Sequence, residues 1–131
     1  MRALIAPLRI ALLLAHVLAG MAVAALLFPW LSQAGRNRII GRWSRLLLAI
    51  CGGGLRVAGV PPSPAVAQTG IEPGSCGRML LANHVSWLDP FALNAAAPSR
   101  FVAKAEIRDW PLLGTLVTLV GALYIERGRR H

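Results

Sequence analysis

The residues of this sequence best suited to chemistry lie in "LLANHVSWLDPFALN", positions 80 to 94. The chain has three His and five acidic residues, and His84 and Asp89 stand five positions apart here, directly after an apolar run. A carboxylate on one imidazole nitrogen fixes the tautomer and stabilises the imidazolium, so that the other nitrogen can take a proton from a hydroxyl. On one continuous helix a separation of five turns two side chains about 140° apart. The pair therefore forms only if the chain bends between them, and a strand-to-helix corner at Val85 and Ser86 supplies that bend. The same residues also fit a pattern without chemistry. "SWLD", from Ser86 to Asp89, has the form of a capping box, and "DP" that of an N-cap followed by proline in the first turn. Spacing alone leaves both readings open. Ser86 is a poor nucleophile candidate, because it lies two residues from His84 and outside any G-x-S-x-G elbow.

The elements that must position this pair follow from the apolar pattern. Residues 78–83, "RMLLAN", read as a buried strand, 87–97 as a helix, 100–107 as a strand, 111–121 as a helix and 122–127 as a third strand. That alternation predicts an α/β fold with parallel strand pairs, and three strands make an incomplete sheet. A His at a strand's carboxyl end faces the cleft above a sheet while the backbone fixes it.

Upstream, positions 10–31, "IALLLAHVLAGMAVAALLFPWL", carry no formal charge, and His16 is their only titratable group. At about 1.5 Å per residue this run is long enough to cross a bilayer core. Arg2, Arg9 and "SQA" at 32–34 imitate a signal peptide, but the apolar run exceeds a usual h-region, so a retained anchor is expected over residues 1–35. Pro29 and Trp30 suit its interfacial end. Arg36, Arg38, Arg42 and Arg45 follow it, which places the rest of the chain on the cytoplasmic side. Within 36–60, Ile39, Ile40, Trp43, Leu46, Leu47 and Ile50 recur at mostly helical spacing between those arginines, the pattern of a basic amphipathic helix on a membrane surface. "CGGG" at 51–54 reads as its stop or hinge and not as a phosphate loop. Residues 61–77, rich in Pro, Gly and Ser, read as a surface loop. The formal net charge of +9, beside an anchor, points to anionic lipid headgroups, and no interleaved aromatics suggest a nucleic-acid partner. Cys51 and Cys76 have neither metal-ligand nor disulfide-framework spacing and read as free thiols, and no metal is expected.

"NHVSWLDP", positions 83–90, resembles the first motif, N-H-x-x-x-x-D, of the glycerolipid acyltransferases typified by 1-acylglycerol-3-phosphate O-acyltransferase. "FVAKAEIRDWPLLG", 101–114, is similar to that family's next segment through Lys104, Pro111 and Gly114. "GALYIERG", 121–128, resembles its second motif, G-x-x-[FY]-I-x-R, through Gly121, Tyr124, Ile125 and Arg127. Order and spacing agree over residues 78–130, about two fifths of the chain. The resemblance implies His84 as general base on the acceptor hydroxyl, Asp89 as its support, and acceptor-phosphate binding by Arg127, aided by Lys104, with Gly121 in the same substrate-binding motif. It implies no cofactor, an acyl carrier protein or coenzyme A thioester as co-substrate, and a lysophospholipid acceptor, 1-acylglycerol-3-phosphate first. The expected setting is a bacterial inner membrane, with residues 78–131 as a partial glycerolphosphate-acyltransferase-like domain: an incomplete sheet flanked by helices. A lyso-ornithine lipid acceptor and an inactive membrane-binding fragment are the alternatives. The family's third motif, F-P-E-G-[TS]-R, and its fourth do not occur in these residues. The chain is therefore expected to be a fragment of a longer reading frame or a truncated relative, poorly active by itself.

Overall fold

The computed structural model describes residues 2–59 and 79–126, with side-chain surroundings from Ala6 onward. Arg127, Cys76 and the loop expected at 61–77 lie outside the described residues. The chain divides into two compact units, one formed by residues 1–30 with 100–131 and the other by residues 31–99.

In the first unit, helix α1 spans Arg2–Leu27 and continues as a 3-10 turn, Phe28–Trp30. Ala6–Trp30 is long and apolar enough to cross a membrane by length and composition, and very little of it is buried within the protein. Its many Leu and Ala residues, the strongest apolar helix formers, hold it helical, and a helix satisfies its backbone groups internally, as an apolar solvent requires. Strand β1, Val102–Lys104, leads through a 3-10 turn, Ala105–Asp109, into helix α2, Leu113–Leu119, and then strand β2, Leu123–Ile125. The strands pair in parallel, with Val102, Ala103 and Lys104 opposite Leu123, Tyr124 and Ile125. A parallel pair needs a crossover between its strands, and α2 is that crossover. It packs against α1, with Leu116, Ala24 and Phe28 buried in this unit. Gly114 admits the close approach of α2 to the turn before it, because a Cβ there would stand 2.7 Å from the Ile107 carbonyl oxygen and collide with that of Arg108.

In the second unit, helix α3 spans Gln33–Ile50 and helix α4 spans Asp89–Ala96. Ser32 caps α3 by accepting a hydrogen bond from the Gly35 N–H at 3.3 Å, as N-cap serines do. The glycine run ends it. Gly52 has φ +82, and the Gly53 and Gly52 N–H groups reach back to the carbonyls of Leu48 at 2.8 Å and Ala49 at 2.9 Å. These two bonds make a Schellman stop whose left-handed residue favours glycine. α3 packs against α4 through Asn37, Gly41, Ser44 and Leu48, all buried and spaced four, three and four residues apart. Small residues let the helices approach closely: a Cβ on Gly41 would stand 3.5 Å from the Asn94 carbonyl and 3.4 Å from Pro98. Arg45 donates from Nε to the Ala95 carbonyl at 3.1 Å, satisfying an orphan acceptor in the last turn of α4. After this packing α3 keeps two uncovered faces, a basic one with Arg38, Arg42 and Arg45 and an apolar one around Leu46.

Two expectations change. The sheet has two strands where three were expected, because residues 79–83 form no strand among the described residues and Met79, Leu80 and Leu81 are exposed. An apolar run becomes a strand only where a neighbour accepts its hydrogen bonds, and no described segment supplies that neighbour. The second strand is also shorter than 100–107, since Ala105–Asp109 winds into a 3-10 turn. The described fold is helix-rich with a small parallel sheet and one apolar amino-terminal helix.

Candidate active site

The turn from residue 84 to α4 is organised by one carboxylate oxygen. Asp89 Oδ2 accepts the Val85 N–H at 2.7 Å and the Ser86 N–H at 2.8 Å, and lies 3.2 Å from His84 Nδ1. The Ser86 hydroxyl accepts the Leu88 N–H at 3.2 Å, while the Asp89 N–H returns to the Ser86 carbonyl at 3.0 Å. The reach-back half of a capping box is thus present, with an aspartate satisfying a backbone donor ahead of the helix. Asp89 does not act as the N-cap of a "DP" start, because its carboxylate faces backward and the helix is preceded by Leu88 with no side-chain cap. Pro90 falls in the first turn, where a missing N–H costs nothing.

The bend expected at Val85 and Ser86 is present, with a bend at Ser86 and a turn at Trp87 and Leu88. It brings the two side chains together on the same oxygen that closes the turn. The Ser86 and Val85 N–H groups, followed by the His84 contact, hold the Asp89 carboxyl below the usual carboxylate range. An ionised Asp89 accepts a hydrogen bond from Nδ1–H, which leaves Nε2 on the far side of the ring with a lone pair. The His84 side chain is 64% exposed and that of Asp89 28%, so a substrate hydroxyl can approach Nε2 from solvent.

Lys104 and Gly121 belong to the other unit. Lys104 closes β1, opposite Ile125, and its Nζ lies 2.7 Å from Glu106 Oε1 with both side chains at least half exposed. Gly121 makes the turn from α2 into β2 at φ +83, a conformation that strains other residues, and its N–H donates to the Thr118 carbonyl at 3.0 Å. A Cβ there would meet only the Arg100 guanidinium, at 3.6 Å and beyond. Tyr124 shares a 2.8 Å hydrogen bond with Thr118 Oγ1, and the Arg108 guanidinium lies 5.6 Å from its ring centroid, within cation–π range. Sequence reading missed the ion pair of Lys104 with Glu106, for which the K-x-E spacing was a usable signal. It also missed the stacking of Arg108 on Tyr124, for which sequence held none. Among the described residues no group of three or more His, Cys, Asp or Glu could hold a metal ion.

A sequence model of the family described as Acyltransferase matches residues 70–131. This part of the chain belongs to the acyltransferase family. The acyltransferase-family stretch contains His84, Asp89, Lys104, Gly121 and Arg127 together. Over 96 residues the chain is 40% identical to a 1-acyl-sn-glycerol-3-phosphate acyltransferase of Neisseria meningitidis serogroup B, an alignment covering 73% of this chain and 34% of that protein. It is 50% identical over 55 residues to the protein of the same name in Neisseria gonorrhoeae, covering 42% and 22%. A lyso-ornithine lipid O-acyltransferase of Pseudomonas aeruginosa is 38% identical over 93 residues, covering 71% and 31%. The chain thus spans about a third or less of the length of these acyltransferase relatives. No solved structure matches it significantly.

Proposed function

We propose that this chain carries the base of an acyl-transfer site that moves a fatty acyl group from a thioester to the free hydroxyl of a lysophospholipid, 1-acylglycerol-3-phosphate first. The observation that carries the reading is the 3.2 Å contact of His84 with Asp89 inside a stretch of acyltransferase-family sequence. His84 Nε2 takes the proton from the acceptor hydroxyl as the oxygen attacks the thioester carbonyl. The tetrahedral intermediate collapses, the carbon–sulfur bond breaks, and the thiolate leaves with the proton that His84 received. Asp89 holds the tautomer and stabilises the imidazolium. Arg127 grips the acceptor phosphate, since a guanidinium offers paired donors to two phosphate oxygens. Lys104 adds a second cation, shared between the phosphate and Glu106, and Gly121 lets β2 begin where the motif needs it.

The donor is an acyl carrier protein or coenzyme A thioester, and no cofactor takes part. The setting is a bacterial inner membrane with the reacting groups on the cytoplasmic side, supported by the apolar α1 and the arginines that follow it. A second reading keeps the chemistry and makes the acceptor a lyso-ornithine lipid. Relatives carrying that name, in Brucella abortus at 42% identity as well as in Pseudomonas aeruginosa, favour it.

A panel of lysolipid acceptors separates the two. Turnover confined to acceptors with a phosphate, together with a rise in acceptor KM in Arg127→Ala that exceeds any rise in donor KM, supports the first reading. Turnover of lyso-ornithine lipid that ignores Arg127 overturns it.

A further inference from the structure

Three aromatic rings join the outer helix of the second unit to the turn that holds His84 and Asp89. Trp43, on α3, stands 5.9 Å centroid to centroid from Phe91, on α4, at an interplanar angle of 58°. Phe91 in turn meets Trp87 edge to face, at 6.1 Å and 77°. Trp87 is 59% exposed and sits in the chain between His84 and Asp89. At its other end the series reaches the uncovered apolar side of α3, where Leu46 is 54% exposed. On a helical projection Trp43 falls beside Leu46 and Ile50, and the basic face with Arg38 and Arg42 lies along the opposite flank of that apolar side. Two tryptophans and a phenylalanine offer a large, rigid apolar surface, and surface of that kind beside a reacting pair calls for an apolar occupant.

We infer that Trp43, Phe91 and Trp87 form an aromatic track along which the acyl chain of the lysolipid acceptor lies, with its hydroxyl at His84. This rests on the proposal that the acceptor is a lysolipid. The occupant is the acceptor's chain and not the donor's, for two physical reasons. The track is continuous with the apolar side of α3, where a membrane lipid arrives, whereas the thioester arrives on a water-soluble carrier. The arginines flanking that side complement an anionic headgroup, so a lysolipid can keep part of its chain in the bilayer while its glycerol reaches the base. Trp87 and Phe91, four residues apart across the start of α4, then act as positioning residues set by the same turn that brings Asp89 to His84.

Two measurements test the track, and the first needs no turnover. With Trp30, Trp43 and Trp110 replaced by Phe, the protein is reconstituted in phosphatidylglycerol vesicles and Trp87 fluorescence is read. Lysophosphatidic acid brominated on its chain should quench Trp87 at least about twofold more than diacyl lipid of equal bromine content, because a chain packed on the indole face holds its bromine in contact with the ring. Equal quenching would mean that Trp87 only rests in the bilayer, and would overturn the inference. In the second, the preference for oleoyl over hexanoyl lysophosphatidic acid in kcat/KM should fall about tenfold in Trp87→Ala and recover in Trp87→Phe. An equal loss on both acceptors, or a shift in donor chain-length preference instead, also overturns it. Absence of acyl transfer in the unmodified protein would overturn the proposed function, while the quenching result still decides the track.

Discussion

Asp89 Oδ2 stands 3.2 Å from His84 Nδ1, and the same atom takes the two backbone N–H groups of the turn that brings them together. The helix-starting pattern and the acid–base pattern therefore share one carboxylate. An Asp at this position can satisfy the entry to α4 and orient an imidazole without any change of conformation.

That sharing predicts a graded response. Asp89→Ala should lose both the turn and the orientation of His84. Asp89→Asn keeps an acceptor oxygen for Val85 and Ser86 but removes the charge, so kcat should fall by about a hundredfold or more while the helix content read by circular dichroism stays near normal. Equal collapse of helicity in both variants would make Asp89 a structural residue only.

The depressed Asp89 carboxyl fixes the sign of a pH effect. A group whose folded pKa lies below its unfolded value adds stability above the unfolded pKa, and that stability is lost as pH falls through the folded one. The difference in unfolding midpoint between the unmodified protein and Asp89→Asn should be constant from neutral pH down to the ordinary carboxylate range and close below it. Chemical unfolding in detergent across that range measures it. A gap that closes near neutrality would contradict the assignment.

Ser44 is buried at 1% exposure, and its hydroxyl has no hydrogen-bond partner. Replacing an unsatisfied buried hydroxyl by hydrogen in a helix removes a desolvation cost and gains helix propensity. Ser44→Ala should stabilise the second unit by about 0.5–1 kcal/mol, read as a rise in unfolding midpoint. Ser44→Leu should do the opposite, because it forces α3 and α4 apart.

Gly121 turns α2 into β2 with φ +83. Gly121→Ala should cost about 1 kcal/mol or more through backbone strain alone, since the Arg100 guanidinium leaves room for the methyl group. If that substitution proves neutral in thermal unfolding, the turn adopts another conformation in solution.

Legibility followed the range of the interactions involved. α1, α3 and its glycine stop, α4, the crossover α2 and the strand ending at Ile125 all announced themselves through local patterns such as apolar period, caps and breakers. The bend between His84 and Asp89 was readable for the same reason, because Ser86 and Pro90 are local turn signals. The strand expected at 78–83 was not, since an apolar run is a strand only where another strand pairs with it. α3 was read as an amphipathic surface helix from its Ile, Trp and Leu residues, yet its buried face runs through Asn37, Gly41 and Ser44. Those types mark close helix packing only once the partner α4 is in place. Of the site residues, Gly121 and Lys104 were named by resemblance to a family. Their local reasons, a left-handed turn and an ion pair with Glu106, become visible only in the folded chain.

Turnover decides whether His84 is the base of an acyl transfer. Acyl transfer from acyl-acyl carrier protein or acyl-coenzyme A to 1-acylglycerol-3-phosphate should be measured in membranes carrying the full-length protein that contains these residues, with and without His84→Ala. If His84 has that role, kcat should fall by about a hundredfold to ten-thousandfold, the range expected for loss of a general base, with little change in the protein's amount or membrane association. Unchanged turnover in His84→Ala would contradict it.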